Sequence, residues 1–333
     1  MLSVLLHPFR GLNLLWVLGR EGATDVALTL TPKGSFPATM LRLLSTLKSG
    51  RAKKRGSGTN LAQALKRLGP TYIKLGQILS TRADLIGEQA AVDLSALQDQ
   101  LEPFSDAEAR AMLAEALGRP IDAVFSEFGK PVSAASVAQV HFGRLRTGED
   151  VAVKILRPDI EKQFDRELRF LQWGARWAQR IVPDLRRAQP VGLIEVLRQQ
   201  TAMALDLRME AAAGDQMARN FKERGGLSAP TPFWDLTSQR VLVMSRIYGI
   251  NIDERDKLRA AGHDLAQVLT NAATCFFQAV FDDGFFHGDQ HAGNMFIDAR
   301  GEVVFVDFGI VGRLDWKGRV FLADLMSHLL EGD

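Results

Sequence analysis

The sequence predicts an α+β fold: a small antiparallel sheet leading into a mainly helical region, with a helical extension ahead of both. Three observations carry this expectation. Residues 137–146 and 149–156 are β-rich and joined by the turn dipeptide Thr147-Gly148, so they form a hairpin. Residues 240–248 (Arg-Val-Leu-Val-Met-Ser-Arg-Ile-Tyr) read as a further, buried strand. Apolar residues recur at helical spacing over most of the first 120 residues and again beyond 158. At 333 residues the chain is long enough for one large or two medium domains, each with a full core.

Taken in order, the elements follow from local chemistry. Leu2, Val4, Leu5 and Leu6, then Leu12, Leu14, Leu15, Trp16, Val17 and Leu18, are broken by His7-Pro8 and Arg10. No small-residue cleavage site follows, so this is an amphipathic or packing helix and not a signal peptide. Residues 31–37 have loop chemistry. A helix from about 38 runs into the basic patch Lys48-Ser-Gly-Arg-Ala-Lys-Lys-Arg55. That patch is either a solvated linker or a surface facing anionic lipid headgroups, where each basic residue is worth about 1 kcal/mol. Residues 59–82 are helical, capped by Thr59 or Asn60, with Leu61, Leu65 and Leu68 on one face. Gly69-Pro70 interrupts them, and Pro70 opens a second helix carrying Tyr72, Ile73, Leu75, Ile78 and Leu79. Shorter helices follow at 88–100 and 105–117, the latter opened by the capping-box pattern Ser105-Asp-Ala-Glu108. The character changes at Pro131, ahead of the hairpin. Helices return at 158–181 and 190–223, and a long one spans 255–281. Short strands at 295–298 and 302–306 flank Asp-Ala-Arg-Gly, and a last helix covers 316–331. The expected parts are thus a helical extension (1–120), a sheet-bearing lobe with inserted helices (121–248) and a helical lobe (249–333).

Composition excludes several classes. With 46% hydrophobic and 24% charged residues the chain is ordinary globular material, not a disordered one. Its 41 basic and 39 acidic residues leave a net charge of +2, too little for a nucleic-acid binder. The single cysteine, Cys275, lies in an apolar run and reads as buried and inert, which rules out a disulfide framework and cysteine-rich metal sites. No stretch reaches the roughly 18 apolar residues of a membrane-spanning helix.

The chemistry concentrates in His287-Gly-Asp289-Gln-His-Ala-Gly-Asn294, followed by Val306-Asp307-Phe308-Gly309. Asp289 and Asn294 have the Asp-to-Asn spacing of a protein-kinase catalytic loop, and Asp307 opens a D-F-G triplet 18 residues after Asp289. Phosphoryl transfer is mostly positioning and charge neutralisation, so Asn294 and Asp307 supply oxygen ligands for Mg2+. Asp289 supplies the carboxylate that orients an attacking hydroxyl or water. Each piece alone has a bland reading as a turn or a structural histidine; their joint order does not. Upstream, Val151-Ala-Val-Lys154 resembles the kinase strand whose lysine meets the α- and β-phosphates. Ahead of it, Ser133, Ala134, Ala135, Ser136, Val137, Ala138 and Gln139 stand where a kinase has a glycine-rich loop. Small side chains still allow close backbone approach to a nucleotide, but alanine is stiffer than glycine. Glu210 is the candidate partner for Lys154, with Asp206 one turn earlier on the same helix face. Met244 and Arg246 end a strand where a kinase hinge offers backbone groups to adenine.

These motifs, together with Lys74-Leu-Gly-Gln77, make the chain resemble the UbiB family over about residues 60–315. The resemblance implies a two-lobed, atypical protein-kinase-like fold with an N-terminal helical extension, ATP or ADP and Mg2+ as cofactors, and a role in ubiquinone biosynthesis. It implies that residues 134–139 cover the nucleotide, Lys154 pairs with Glu210, Asp289 accepts a proton, and Asn294 with Asp307 holds the metal. Lys74 and Gln77 would lie across the pocket and obstruct a protein substrate. It also implies a membrane lipid or isoprenoid quinone precursor, and other ubiquinone-biosynthesis enzymes, as partners. The location implied is the cytoplasmic face of an inner membrane, peripheral or anchored by a C-terminal part absent from this chain. Four residues depart from the family pattern: Ala204 in place of a glutamate two before Asp206, Ser245 in the hinge, and Gln290 and Ala292 in the catalytic loop. Relatives continue well beyond the D-F-G triplet, so the chain is expected to be a trimmed form or a short member. Two alternatives stay open: an aminoglycoside- or choline-kinase-like phosphotransferase, and a nucleotide-gated lipid- or partner-binding scaffold with little turnover.

Overall fold

Strand β3 (Asp150–Leu156) shows how the sequence sets the architecture. Val151, Val153 and Ile155 alternate into one face and are fully buried, while Lys154 projects from the other. In the computed structural model, which describes residues 7–29, 36–95, 101–181 and 186–331, β3 is central to a four-stranded sheet ordered β1-β2-β3-β5. Its companions are β1 (Phe125–Ala134), β2 (Ala138–Leu145) and β5 (Val241–Ser245). β3 and β5 are antiparallel, with Lys154 opposite Leu242.

The chain forms two compact units: Met1–Glu102, Ala134–Ala138 and Arg157–Ala202 make one, and Pro103–Ser133, Gln139–Leu156 and Met203–Asp333 the other. The boundaries expected at 120 and 248 both fall inside the second unit.

The first unit is helical. Its N-terminal helices are α1 (His7–Glu21), α2 (Thr24–Thr29), α3 (Phe36–Ser45), α4 (Ser57–Leu68), α5 (Pro70–Ser80), α6 (Ala83–Ile86) and α7 (Glu88–Ser95). Val17, Leu61, Leu65, Tyr72, Ile73 and Leu94 form its core. Helix α4 begins at Ser57, capped by Gly56 and not by Thr59 or Asn60. Those two side chains are committed elsewhere, Thr59 to Asp93 and Asn60 to the Ala52 carbonyl. Within the basic patch, Lys48 pairs with Asp25 and Arg55 with Glu21. The expected loop at 31–37 lies largely outside the described residues, as do Leu2 to Leu6 and the last turn of the helix expected at 88–100.

In the second unit, α8 (Asp106–Leu117) opens on a complete capping box between Ser105 and Glu108. Strand β1 was not expected. It is an edge strand, mostly exposed, holding Gly129 and Pro131, so it lacks the apolar alternation that marks a buried strand. The inserted stretch is α9 (Ile160–Ile181) and α10 (Pro190–Ala204), which belong to the first unit as far as Ala202; α11 (Leu207–Phe221) follows in the second, so 190–223 is not one helix. The break is at Asp206, whose side chain accepts from the Arg208 N–H and caps α11. The expected helix 255–281 divides in the same way into α12 (Arg255–Ala260) and α13 (Leu265–Phe277), with left-handed Gly262 and the cap Asp264 between them. A π-turn at Gln278–Asp283 then leads to a second sheet, β4-β9-β8-β6, and the ribbon β10-β7. These are β4 (Leu227–Ser228), β6 (Ile250–Asn251), β7 (Phe285–His287), β8 (Met295–Ile297), β9 (Val303–Phe305) and β10 (Val311–Arg313). Helix α14 (Trp316–Glu331) ends the described chain. Cys275 is buried, and burial pushes its thiol pKa up. No helix among the described residues is long and apolar enough to cross a membrane.

Ser105→Ala removes the hydroxyl half of the capping box and leaves the backbone N–H bond to Glu108, and a loss of about 1 kcal/mol in unfolding free energy is expected by urea titration.

Candidate active site

Lys154 leaves the sheet on the face away from the Val151–Val153–Ile155 core, and helix α11 meets it there. Because Asp206 fixes where α11 starts, Glu210 falls in its first turn, where a carboxylate also suits the helix dipole. The Lys154 Nζ donates to Glu210 Oε1 at 2.8 Å and Oε2 at 2.9 Å, and to Asp307 Oδ1 at 3.0 Å. Lys154 and Glu210 are buried, whereas Asp307 is half exposed. Burial alone would pull the lysine pKa down; the Asp307 and Glu210 carboxylates more than offset it and hold the ammonium above the ordinary lysine range. Asp206, expected to face the same way as Glu210, instead pairs with Arg208 at 2.7 Å and serves as the helix cap.

Asp307 is delivered by the β8–β9 hairpin. The Val306 N–H donates to the Asn294 carbonyl at 3.0 Å, which sets the D-F-G segment beside the end of the catalytic loop. Asp307 then takes a left-handed backbone conformation (φ 60°), open to aspartate more than to most residues. Asn294 donates its side-chain N–H to the Asp289 carbonyl at 3.1 Å, so its own amide oxygen is the end available to a cation. Asp289 is half exposed, with His291 Nε2 3.8 Å from its Oδ2.

His287 holds these pieces in register. Its Nδ1 accepts from the Asp289 N–H at 3.1 Å, so Nε2 carries the proton and donates to the carbonyls of Val306 at 3.1 Å and Asp307 at 3.0 Å. The ring stacks on Phe305 and meets Phe308 edge-on, and burial lowers its pKa. Phe308 in turn packs over Gly214 of α11, where a Cβ would stand 3.1 Å from the ring. Beside this cluster, Glu210, Gly214, Pro230, Pro232, Leu242 and Met244 line a narrow crevice. His287, Gly214 and Phe308 were given no role from sequence. The signal for His287 was its place as the first residue of the catalytic-loop motif; the other two act through packing that no motif encodes.

Lys154, Glu210, Asp307, Asn294 and Asp289 are therefore brought together in one unit. Met244 borders the same space, but the Arg246 N–H is taken by the Asp150 carbonyl at 3.0 Å and its guanidinium lies over Phe142. The Arg246 N–H thus extends the β3–β5 pairing by one residue. Gln139 is fully buried, its Oε1 accepting from the Phe104 N–H and its Nε2 bonded to His141. Ser136, Val137 and Ala138 are buried, Ala134 and Ala135 are half buried and Ser133 is exposed. Residues 135–138 form a tight turn pinned by Arg157, which bonds Ala135 and Val137. Lys74 and Gln77 lie half-buried on α5 of the helical unit. Among the described residues no three metal-ligating His, Cys, Asp or Glu side chains cluster. Two hard oxygen donors, Asn294 and Asp307, fit a magnesium ion that completes its shell with water and phosphate, and do not fit a closed zinc site.

A small sheet whose lysine is paired to a helix glutamate, followed by a catalytic loop and a D-F-G segment, defines an atypical kinase-like fold. Residues 96–333 match the ABC1 atypical kinase-like domain, and the chain belongs to that family. Among solved structures it is similar to Rv3197 from Mycobacterium tuberculosis, determined in complex with erythromycin. The two are 26% identical with a TM-score of 0.52, over 84% of this chain and 68% of that one.

Glu210→Ala removes the buried counter-ion of Lys154 and leaves it only the half-exposed Asp307, and a loss of about 3 kcal/mol is expected by urea titration. The buried His287 and His141 both have pKa values lowered from 6.5 by desolvation, so the unfolded chain binds more protons as pH falls. Their contribution is complete well above pH 6.5 and is lost as pH falls through it. Urea midpoints should decline from pH 7 to 5, less steeply in His287→Gln.

Proposed function

We propose that the chain is an ATP-binding, magnesium-dependent atypical kinase or ATPase that supports ubiquinone biosynthesis at a membrane. The observation that carries the nucleotide part is the convergence of Lys154, Glu210 and Asp307 at 2.8–3.0 Å beside Asn294 and Asp289. In this reading Lys154 gives its ammonium to the α- and β-phosphates while Glu210 keeps it in place. Asn294 and Asp307 hold magnesium, which when bound neutralises charge on the phosphate oxygens. Asp289 orients the attacking hydroxyl or water and takes its proton. Met244 borders the base.

The ubiquinone assignment is supported by the Lys74-Leu-Gly-Gln77 resemblance to UbiB, itself a member of the ABC1 family, with an isoprenoid quinone precursor as the substrate class. A second reading, a small-molecule or lipid-binding scaffold with little turnover, is favoured by the erythromycin complex of the Mycobacterium tuberculosis relative and by Ala204.

Two variants separate these readings. Asp307→Asn should abolish the magnesium-dependent part of thermal stabilisation by ADP. Asp289→Asn should retain that stabilisation and lower phosphate release from ATP by about 10²–10⁴-fold, assayed with vesicles and a quinone-like phenol. Stabilisation by ADP that is equal with and without magnesium would contradict the metal site. Wild-type protein that binds ADP yet releases no phosphate would favour the scaffold.

A further inference from the structure

Helix α9 turns Ile160, Phe164, Leu168 and Ala175 inward. Its opposite face has a different composition. Trp173 and Trp177 stay 42% and 55% exposed, their rings stacked with centroids 6.4 Å apart, and Ile181 follows at 45%. Positions 173, 176, 177, 180 and 181 fall at i, i+3, i+4, i+7 and i+8, so Arg176 and Arg180 share that face. Arg186 and Arg187, also exposed, come shortly after the helix.

The charge on this face is unbalanced. From residue 168 to 183 the sequence holds no acidic residue. Among the described residues, Arg176, Arg180, Arg186 and Arg187 form no ion pair, whereas arginines on other helix surfaces are matched: Arg110 by Asp106 and Arg219 by Asp215. Stacked indoles on a helix face that also carries unpaired arginines suit one environment above others. Indole rings settle where an apolar layer meets a polar one, and arginine pairs with phosphate.

We infer that this face of α9 is a docking surface for an anionic phospholipid bilayer. The helix lies along the membrane plane, with Trp173, Trp177 and Ile181 reaching the headgroup–acyl boundary and the four arginines engaging lipid phosphates. This gives a place of contact to the membrane association proposed above and rests on that part of the reading alone; nucleotide binding in solution is independent of it.

The test uses the full chain with large unilamellar vesicles of phosphatidylcholine, with and without phosphatidylglycerol. The parent should co-sediment with phosphatidylglycerol vesicles, lose binding as salt rises, and have its tryptophan emission quenched by brominated acyl chains. Trp173→Ser/Trp177→Ser should remove most of that quenching. Arg176→Gln/Arg180→Gln should weaken binding to phosphatidylglycerol vesicles by about tenfold or more. Both variants should keep the parent's thermal melt and its response to Mg-ADP, which separates failure here from failure of the nucleotide site. Should the tryptophan pair melt early, the arginine pair decides. Parent-like vesicle binding by the variants, or no binding by the parent, would overturn the inference. So would a parent dimer that either pair of substitutions converts to monomer while vesicle binding is unchanged, because the face would then belong to a second copy.

Discussion

The buried ammonium of Lys154 is the constraint around which the second unit is arranged. A charge removed from water costs several kcal/mol unless it is paired, and this one is paired from two directions. Glu210 reaches it from α11 and Asp307 from the segment after β9, so sheet, helix and D-F-G turn cannot shift independently. The two carboxylates differ in kind. Glu210 is buried with the lysine and acts as its fixed counter-ion, while Asp307 is half exposed and able to serve another cation as well.

A second organiser sits where the catalytic loop and the D-F-G segment meet. His287 reads both backbones at once, accepting from one and donating to the other, and this requires a neutral ring in a single tautomer. The left-handed turn at Asp307 depends on the same bonds, because the Asp307 carbonyl is one of the two that His287 holds. Placement of the chemistry thus rests on a residue that itself has no reactive role.

Much of this was legible in the sequence, and the exceptions share physical causes. Linear spacing located Asp289, Asn294 and Asp307, because a short hairpin is the natural way to join them, and the strand pattern of 151–156 put Lys154 on the face away from the core. Helix periodicity does not report breaks whose apolar stripe continues on either side, and so 190–223 and 255–281 were read as unbroken. The breaks lie at Asp206 and Asp264, each of which caps a new helix. Edge strand β1 was missed because it buries too little to leave an alternating pattern. Gln139 shows a related limit: a polar residue in a loop-like motif looks exposed, and only the fold reveals that it is buried with its amide bonded to Phe104 and His141.

The spacing of Glu210 and Gly214 carries one more implication. They stand one turn apart on α11, the first gripping the lysine and the second leaving room for the Phe308 ring. Rotation of that helix by even a fraction of a turn would release the ion pair and drive backbone into the ring together. A side chain at 214 therefore has to be matched by less bulk at 308, and a divergent descendant of this chain could enlarge the first position only by shrinking the second.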